Sequence, residues 1–201
     1  RATMPYSLFR PDDYYEDLSI EEQYKWVEYH KWKFKAEWYT PLSRSGGENP
    51  RTLVLKMAAG VGIVGQFDRG VPLSPFERFY MGGVYLSGYT LDGREILNLR
   101  GYDELSLTSP DPQTGAPVAA KYTAELRYPI STNPSATIYT LAFLEGGSTW
   151  EDARAFNPFQ VYRSAGVGLK LFLPMFGLLG LDYGWRLDDV DAIPGMSRGQ
   201  F

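Results

Sequence analysis

Cysteine is absent from this chain of 201 residues. That absence removes disulfide frameworks, thiol catalysis and thiolate metal sites, and it leaves the compartment open. Histidine occurs once, at His30, so neither a histidine-based triad nor a multi-histidine metal site can be assembled. No apolar run reaches about 18 residues, which excludes a membrane-spanning helix, and mean hydropathy is only −0.30. That test is blind to membrane strands, whose alternation averages their hydropathy away. A basic surplus is lacking too: 20 Lys and Arg stand against 24 Asp and Glu, a net charge of −4. Phosphate neutralisation needs clustered surplus cations, so nucleic acid is not expected as a partner. The chain opens on "RATMPYS", with neither an initiator Met nor a signal-peptide apolar core, and reads as a piece of a longer precursor.

What the chain does have is aromatics (15 Tyr, 11 Phe and 5 Trp), with 21 Gly and 14 Pro to make turns. The stretch "HKWKFKAEWY" (30–39) places His30, Trp32, Phe34, Ala36 and Trp38 on one face and Lys31, Lys33, Lys35, Glu37 and Tyr39 on the other. Period-2 alternation of this kind marks a β-strand with two unlike faces. The same pattern recurs in "TLVLKMAAGVGIVGQF", "VAAKYTAELRYPI", "VYRSAGVGLKLFL" and "FGLLGLDYGWRLD". A sixth strand, "TIYTLAFLEGGSTW" (137–150), is apolar on both faces until Glu145.

These strands run well beyond the about 5 or 6 residues usual in soluble sheets; a tilted transmembrane strand needs about 9 to 11. Short connections with proline, "STNPSA" (131–136) and "PMFG" (174–177), alternate with long ones at 68–117, 151–160 and from 188 onward. Barrels with one periplasmic and one outer rim show this asymmetry. Trp26, Tyr39, Tyr128, Trp150, Phe172 and Trp185 fall near strand ends, as an aromatic girdle would. A soluble sandwich or lipocalin-like barrel, with the apolar rows packed inward, is the competing reading; strand length and rim asymmetry favour the membrane. The fold expected is all-β: an antiparallel transmembrane β-barrel fragment, one unit over 1–201. Six strands cannot close, since the smallest barrels have about eight. Residues 1–29 read as the end of a preceding strand plus an acidic outer loop, and "SRGQF" as the opening of one more strand.

Several motifs suggest chemistry and are better read as structure. "GVGIVG" (60–65) fits the dinucleotide pattern literally but lies inside an alternating strand, with no helix start after it. Gly60 and Gly62 are expected to clear space on the inner face. "DDVD" (188–191) offers weak calcium ligands but reads as a solvated acidic loop. Glu125 and Glu145 resemble a catalytic carboxylate pair, yet an ion-pair role suits them better. The long connection 68–117 carries "SPFERFYMGG" and "NLRGYDE". A loop of that length is generally functional. In Arg100-Gly101-Tyr102 it joins a fixed cation, a flexible hinge and an aromatic, which suits a tip that folds back and docks.

"PFERFYMGG…LRGYDE", "AAKYTAELRYPI", "LAFLEGGSTW" and "SAGVGLKLFLPMFGLLGLDYGW" together resemble the C-terminal barrel half of BamA-like outer-membrane assembly factors. The resemblance covers most of residues 24–198 in matching order. It implies about six to eight strands of a 16-stranded barrel preceded by POTRA domains. It also implies that an extracellular loop tip, Arg100, Gly101, Tyr102 and the following Asp103, lies in the lumen. The docking partners carried over are Glu125, Phe143 and Glu145. Two positions depart conservatively: Leu99 stands where Val is usual and Glu145 where Asp is usual.

The implied function is insertion of β-barrel proteins into the bacterial outer membrane, without catalytic group, cofactor or metal. The implied partners are the lipid bilayer, nascent outer-membrane proteins and periplasmic or lipoprotein subunits of an assembly complex. A TamA-like or two-partner-secretion translocator remains the alternative, and a passive porin-like barrel a more distant one.

Overall fold

The computed structural model describes residues 1–4, 9, 19, 28–45, 51–67, 73, 75–83, 93–109, 112–190 and 199–200. Six long strands make one antiparallel sheet: β1 (His30–Ser45), β2 (Arg51–Gly65), β5 (Val118–Asn133), β6 (Ala136–Trp150), β7 (Tyr162–Leu173) and β8 (Gly177–Arg186). A short β9 (Gly199–Gln200) extends it in the order β1-β2-β5-β6-β7-β8-β9. The long strands have 10 to 16 residues, as the alternation led us to expect. Gly199 and Gln200, in the stretch read as an opening strand, do pair with Trp185 and Gly184.

The ladder aligns the alternating rows from strand to strand. Lys56 lies opposite Glu125, Glu145 opposite Ser164, and Gly168 opposite Asp182. One face therefore carries the polar and glycine rows, while the other carries Trp32, Phe34, Trp38, Met57, Leu144, Leu169 and Leu181, all exposed. Short turns join β5 to β6 and β7 to β8. In the first, the Ser135 amide donates to Asn133 Oδ1 at 2.9 Å. In the second, Gly177 takes a φ of 82° after the Phe176 amide bonds the Leu173 carbonyl.

The structure corrects the sequence reading in three places. The connection 68–117 is more than a loop: β3 (Phe79–Gly82) and β4 (Glu95–Asn98) pair in parallel within it. Parallel pairing of two four-residue strands has no alternation long enough to read. The period-2 pattern also slips at Pro41/Ser43 and Pro129/Ser131, where β-bulges insert Leu42 and Ile130. Proline cannot donate to the ladder, so it settles at such irregularities. The girdle, finally, is only partly outward. Tyr128 and Trp185 share the lipid-side row, but Tyr39 and Phe172 belong to the inner row, opposite Lys56 and Thr137. Trp150 lies under Phe156, ring centroids 4.9 Å apart. Trp26 lies outside the described residues.

The main core sits between the inner face of the sheet and the inserted ribbon. Phe79, Met81, Leu99, Tyr102 and Leu107 from the long connection pack on Val64 and Ala119. Gly62 makes this possible, since a Cβ there would lie 2.4 Å from Phe79 Cζ. The glycine pattern that imitates a nucleotide site thus seats an aromatic ring.

The outward rows should face lipid. A lipophilic photoprobe at Phe34, Leu55, Leu169 or Leu181 should crosslink to lipid, and one at Lys33, Lys56 or Asp182 should not. Leu169→Arg should cost about 2–4 kcal/mol if it lies near the bilayer midplane, measured by reversible folding into vesicles.

Candidate functional site

Register places the acidic partners. Glu125 on β5 stands directly opposite Phe143 on β6, and Glu145 opposite Thr123, so the two carboxylates sit diagonally on the inner face. The cation comes from the long connection. After β4, Leu99 is fully buried, its amide bonded to the Gly82 carbonyl at 2.8 Å, and this delivers Arg100 over the ladder.

Arg100 Nη2 reaches Glu125 Oε1 at 2.8 Å and Glu145 Oε1 at 2.7 Å, while Nη1 reaches Asp182 Oδ2 on β8 at 3.1 Å. Its backbone amide donates to Glu145 Oε2 at 3.1 Å. The guanidinium carbon lies 3.5 Å from the centroid of the Phe143 ring, a cation–π stack on a desolvated surface. Phe143 in turn rests where Gly166 leaves room: a Cβ there would come within 2.4 Å of its Cζ.

Further cations complete the cluster. Lys121 Nζ lies 3.0 Å from Glu145 and also donates to the Asn98 carbonyl. Arg127 holds the other oxygen of Glu125 through Nε at 2.9 Å, and Lys170 holds Asp182 at 2.7 Å. The cluster contains four cations and three carboxylates, with Glu145 only 2% exposed and Arg100 13%. Buried charges demand such pairing.

Gly101 takes a φ of 90°, the left-handed region. Its position lies flat on β8: a Cβ at Gly101 would meet the Trp185 carbonyl carbon at 3.0 Å, and one at Gly184 would meet Gly101 N at 2.8 Å. The tip approaches backbone to backbone, which only glycine permits. Tyr102 is fully buried; its hydroxyl donates to the Arg163 carbonyl at 2.6 Å and packs edge-on to Tyr162. Burial pushes the phenol up to about 12, so it remains a neutral donor. Asp103 supplies its carbonyl oxygen to the Gly83 amide at 2.9 Å and the Ser106 amide at 3.2 Å, closing the turn after the tip.

The structure thus brings Arg100, Glu125, Phe143 and Glu145 into one cluster, with Gly101 and Tyr102 fixing its flank. Sequence reasoning missed Asp182 as an Arg100 ligand, and Lys121, Arg127 and Lys170 as its supports. Their signal was their place on the polar rows of β5, β7 and β8. Asp188, in the motif weighed for calcium, pairs with Arg163 at 2.7 Å, and Asp191 lies outside the described residues. His30 sits at the strand start, accepting from Trp32 Nε1 at 3.2 Å and packing edge-on to Phe67.

An Omp85 superfamily domain model matches residues 15–201. The chain belongs to the Omp85 superfamily. That places it among outer-membrane β-barrel proteins that insert or translocate proteins. No curated protein matches it. In this Omp85 domain the geometry of the cluster can hold a long insertion against the sheet.

Arg100→Ala should strip three carboxylates of their shared cation and cost about 3–5 kcal/mol of loop docking. Amide exchange at residues 99–103 should accelerate accordingly. Arg100→Lys should recover only part, because an ammonium lacks the planar fork. Gly101→Ala should cost about 1–3 kcal/mol through backbone strain and the contact with β8, read as the same acceleration with Arg100 intact.

Proposed function

We propose that this Omp85 domain is the C-terminal barrel segment of a BamA-like factor that folds and inserts β-barrel proteins in the bacterial outer membrane. The observation that carries the reading is Arg100, held by Glu125, Glu145 and Asp182 over the Phe143 ring. A loop fastened this way braces the wall from inside and keeps the lumen from being an open pore.

The physical task such a barrel addresses is the bare strand edge. In hydrocarbon every backbone polar group must be paired, so an incoming strand needs an edge to pair with until its own barrel closes. A braced wall lets the barrel loosen elsewhere, lend such an edge and recover its shape. No catalytic group or nucleotide enters this mechanism; pairing and desolvation supply the work. Nascent outer-membrane proteins are the clients of this reading, and periplasmic or lipoprotein subunits its partners.

Complementation tests it. The complete protein should restore outer-membrane protein levels in cells depleted of their own assembly factor, and Arg100→Ala should lower that rescue at least about tenfold, since the docking energy it removes exceeds the roughly 1.4 kcal/mol that a tenfold change requires. Normal outer-membrane protein levels alongside loss of one secreted protein would assign it to the translocators instead.

A further inference from the structure

The Arg100 cluster is one end of a longer construction. Lys31, on the inner row of β1, is 6% exposed. Its Nζ lies 2.8 Å from Glu95 Oε2, 2.8 Å from the Glu77 carbonyl oxygen and 3.5 Å from Glu77 Oε2. It also stands 4.7 Å from the centroid of the Phe79 ring. Lys33 takes the other oxygen of Glu95 at 3.0 Å, and Tyr29 donates its hydroxyl to Glu77 Oε1 at 2.9 Å. Glu77 closes the short turn two residues before β3, and Glu95 opens β4. Both therefore fasten the long connection to β1, far from Arg100 in the strand order.

Along residues 95–102 the contacts pass from β1 to the β5–β8 side of the sheet. Glu95 is held on β1, the Asn98 carbonyl accepts from Lys121 on β5, and Arg100 meets Glu125 on β5, Glu145 on β6 and Asp182 on β8. Tyr102 donates to the Arg163 carbonyl on β7. Residues 95–98 are extended and the chain turns at Arg100 and Gly101, so the long side chains of Lys31, Lys121 and Arg100 complete the span between the strands.

We propose that residues 95–102 form an ionic cross-brace over the lumen, fastened at two ends, and that Lys31, with Lys33 beside it, is the positioning residue of the β1 end. A lock at Arg100 alone fixes the tip to β5, β6 and β8 and leaves the start of β4 without an ionic tie to β1, whose own ladder runs to β2. The second fastening ties β1 to the same rod. Buried, paired to two carboxylates and stacked beside Phe79, Lys31 is oriented for this role and for no other described contact of its ammonium group. The brace holds whatever cargo the barrel handles, so its test is independent of the assembly reading.

The test is amide exchange by mass spectrometry on the complete protein in nanodiscs. Lys31→Met with Lys33→Met should accelerate exchange at residues 95–98 by about tenfold or more, leaving 118–150 protected. Lys31→Arg in the Lys33 background should stay close to the unsubstituted protein, because it keeps the charge. Arg100→Ala should open residues 99–103 while leaving 95–97 protected. If the double lysine variant fails to fold, Glu95→Gln, placed on the loop side, should give the same local acceleration. Unchanged exchange at 95–98 in both Glu95→Gln and the lysine pair would overturn the proposal. So would equal acceleration by Lys31→Arg and Lys31→Met, or loss of protection over all of 95–102 on removing Arg100 alone.

Discussion

A guanidinium cannot shed its proton, so an arginine carried into a lumen obliges the wall to meet it. Arg100 is met by three carboxylates from three strands, and each depends on register. Glu125 and Glu145 converge only because β5 and β6 pair with Glu125 opposite Phe143; a slip of one residue between the two strands would put the two carboxylates on opposite faces. Asp182 reaches the same guanidinium only because β7 places glycines between it and β6: Gly168 lies opposite Asp182, and Gly166 beneath Phe143. Gly166 and Gly168 thus serve the cation and the ring it stacks on, as Gly62 serves Phe79.

The packing is inverted relative to a soluble sheet. Large apolar side chains are left on the outside, and the buried core is made by a segment inserted from the rim. Lipid covers the first surface. The second is covered by the chain itself, so the inserted ribbon supplies the hydrophobic partner that a second sheet or a helix layer supplies elsewhere.

Much of this was legible in the residues. The rows Trp32–Trp38 and Leu169–Leu181 announce their two faces by alternation alone, and Glu125 could be placed on a polar row from it, whereas Phe143 and Glu145, on a strand apolar on both faces up to Glu145, were named through the family resemblance. Asp182 was legible as an inner residue but not as an Arg100 ligand, because nothing local in β8 records how far the tip travels. Lys31 looked like a member of a polar row; its burial comes from Glu77 and Glu95, distant in sequence. The bulges at Pro41 and Pro129 hid because two-face alternation tolerates one misplaced Leu or Ile. Tyr39 and Phe172 were misassigned to the girdle because nearness to a strand end says nothing of which face a ring takes.

Arg100 and Asp182 are separated by 82 residues. The tip is therefore synthesised before any of the four strands β5 to β8 that receive it, and closing so wide a loop is entropically demanding until those strands are in place. Glu125 and Glu145 become neighbours when one hairpin forms, but Asp182 arrives only with the last long strand. Each hairpin added to the sheet raises the reward for seating the arginine. The cluster thus acts as a tally of strand pairing, and the seated tip marks a wall whose order is already correct.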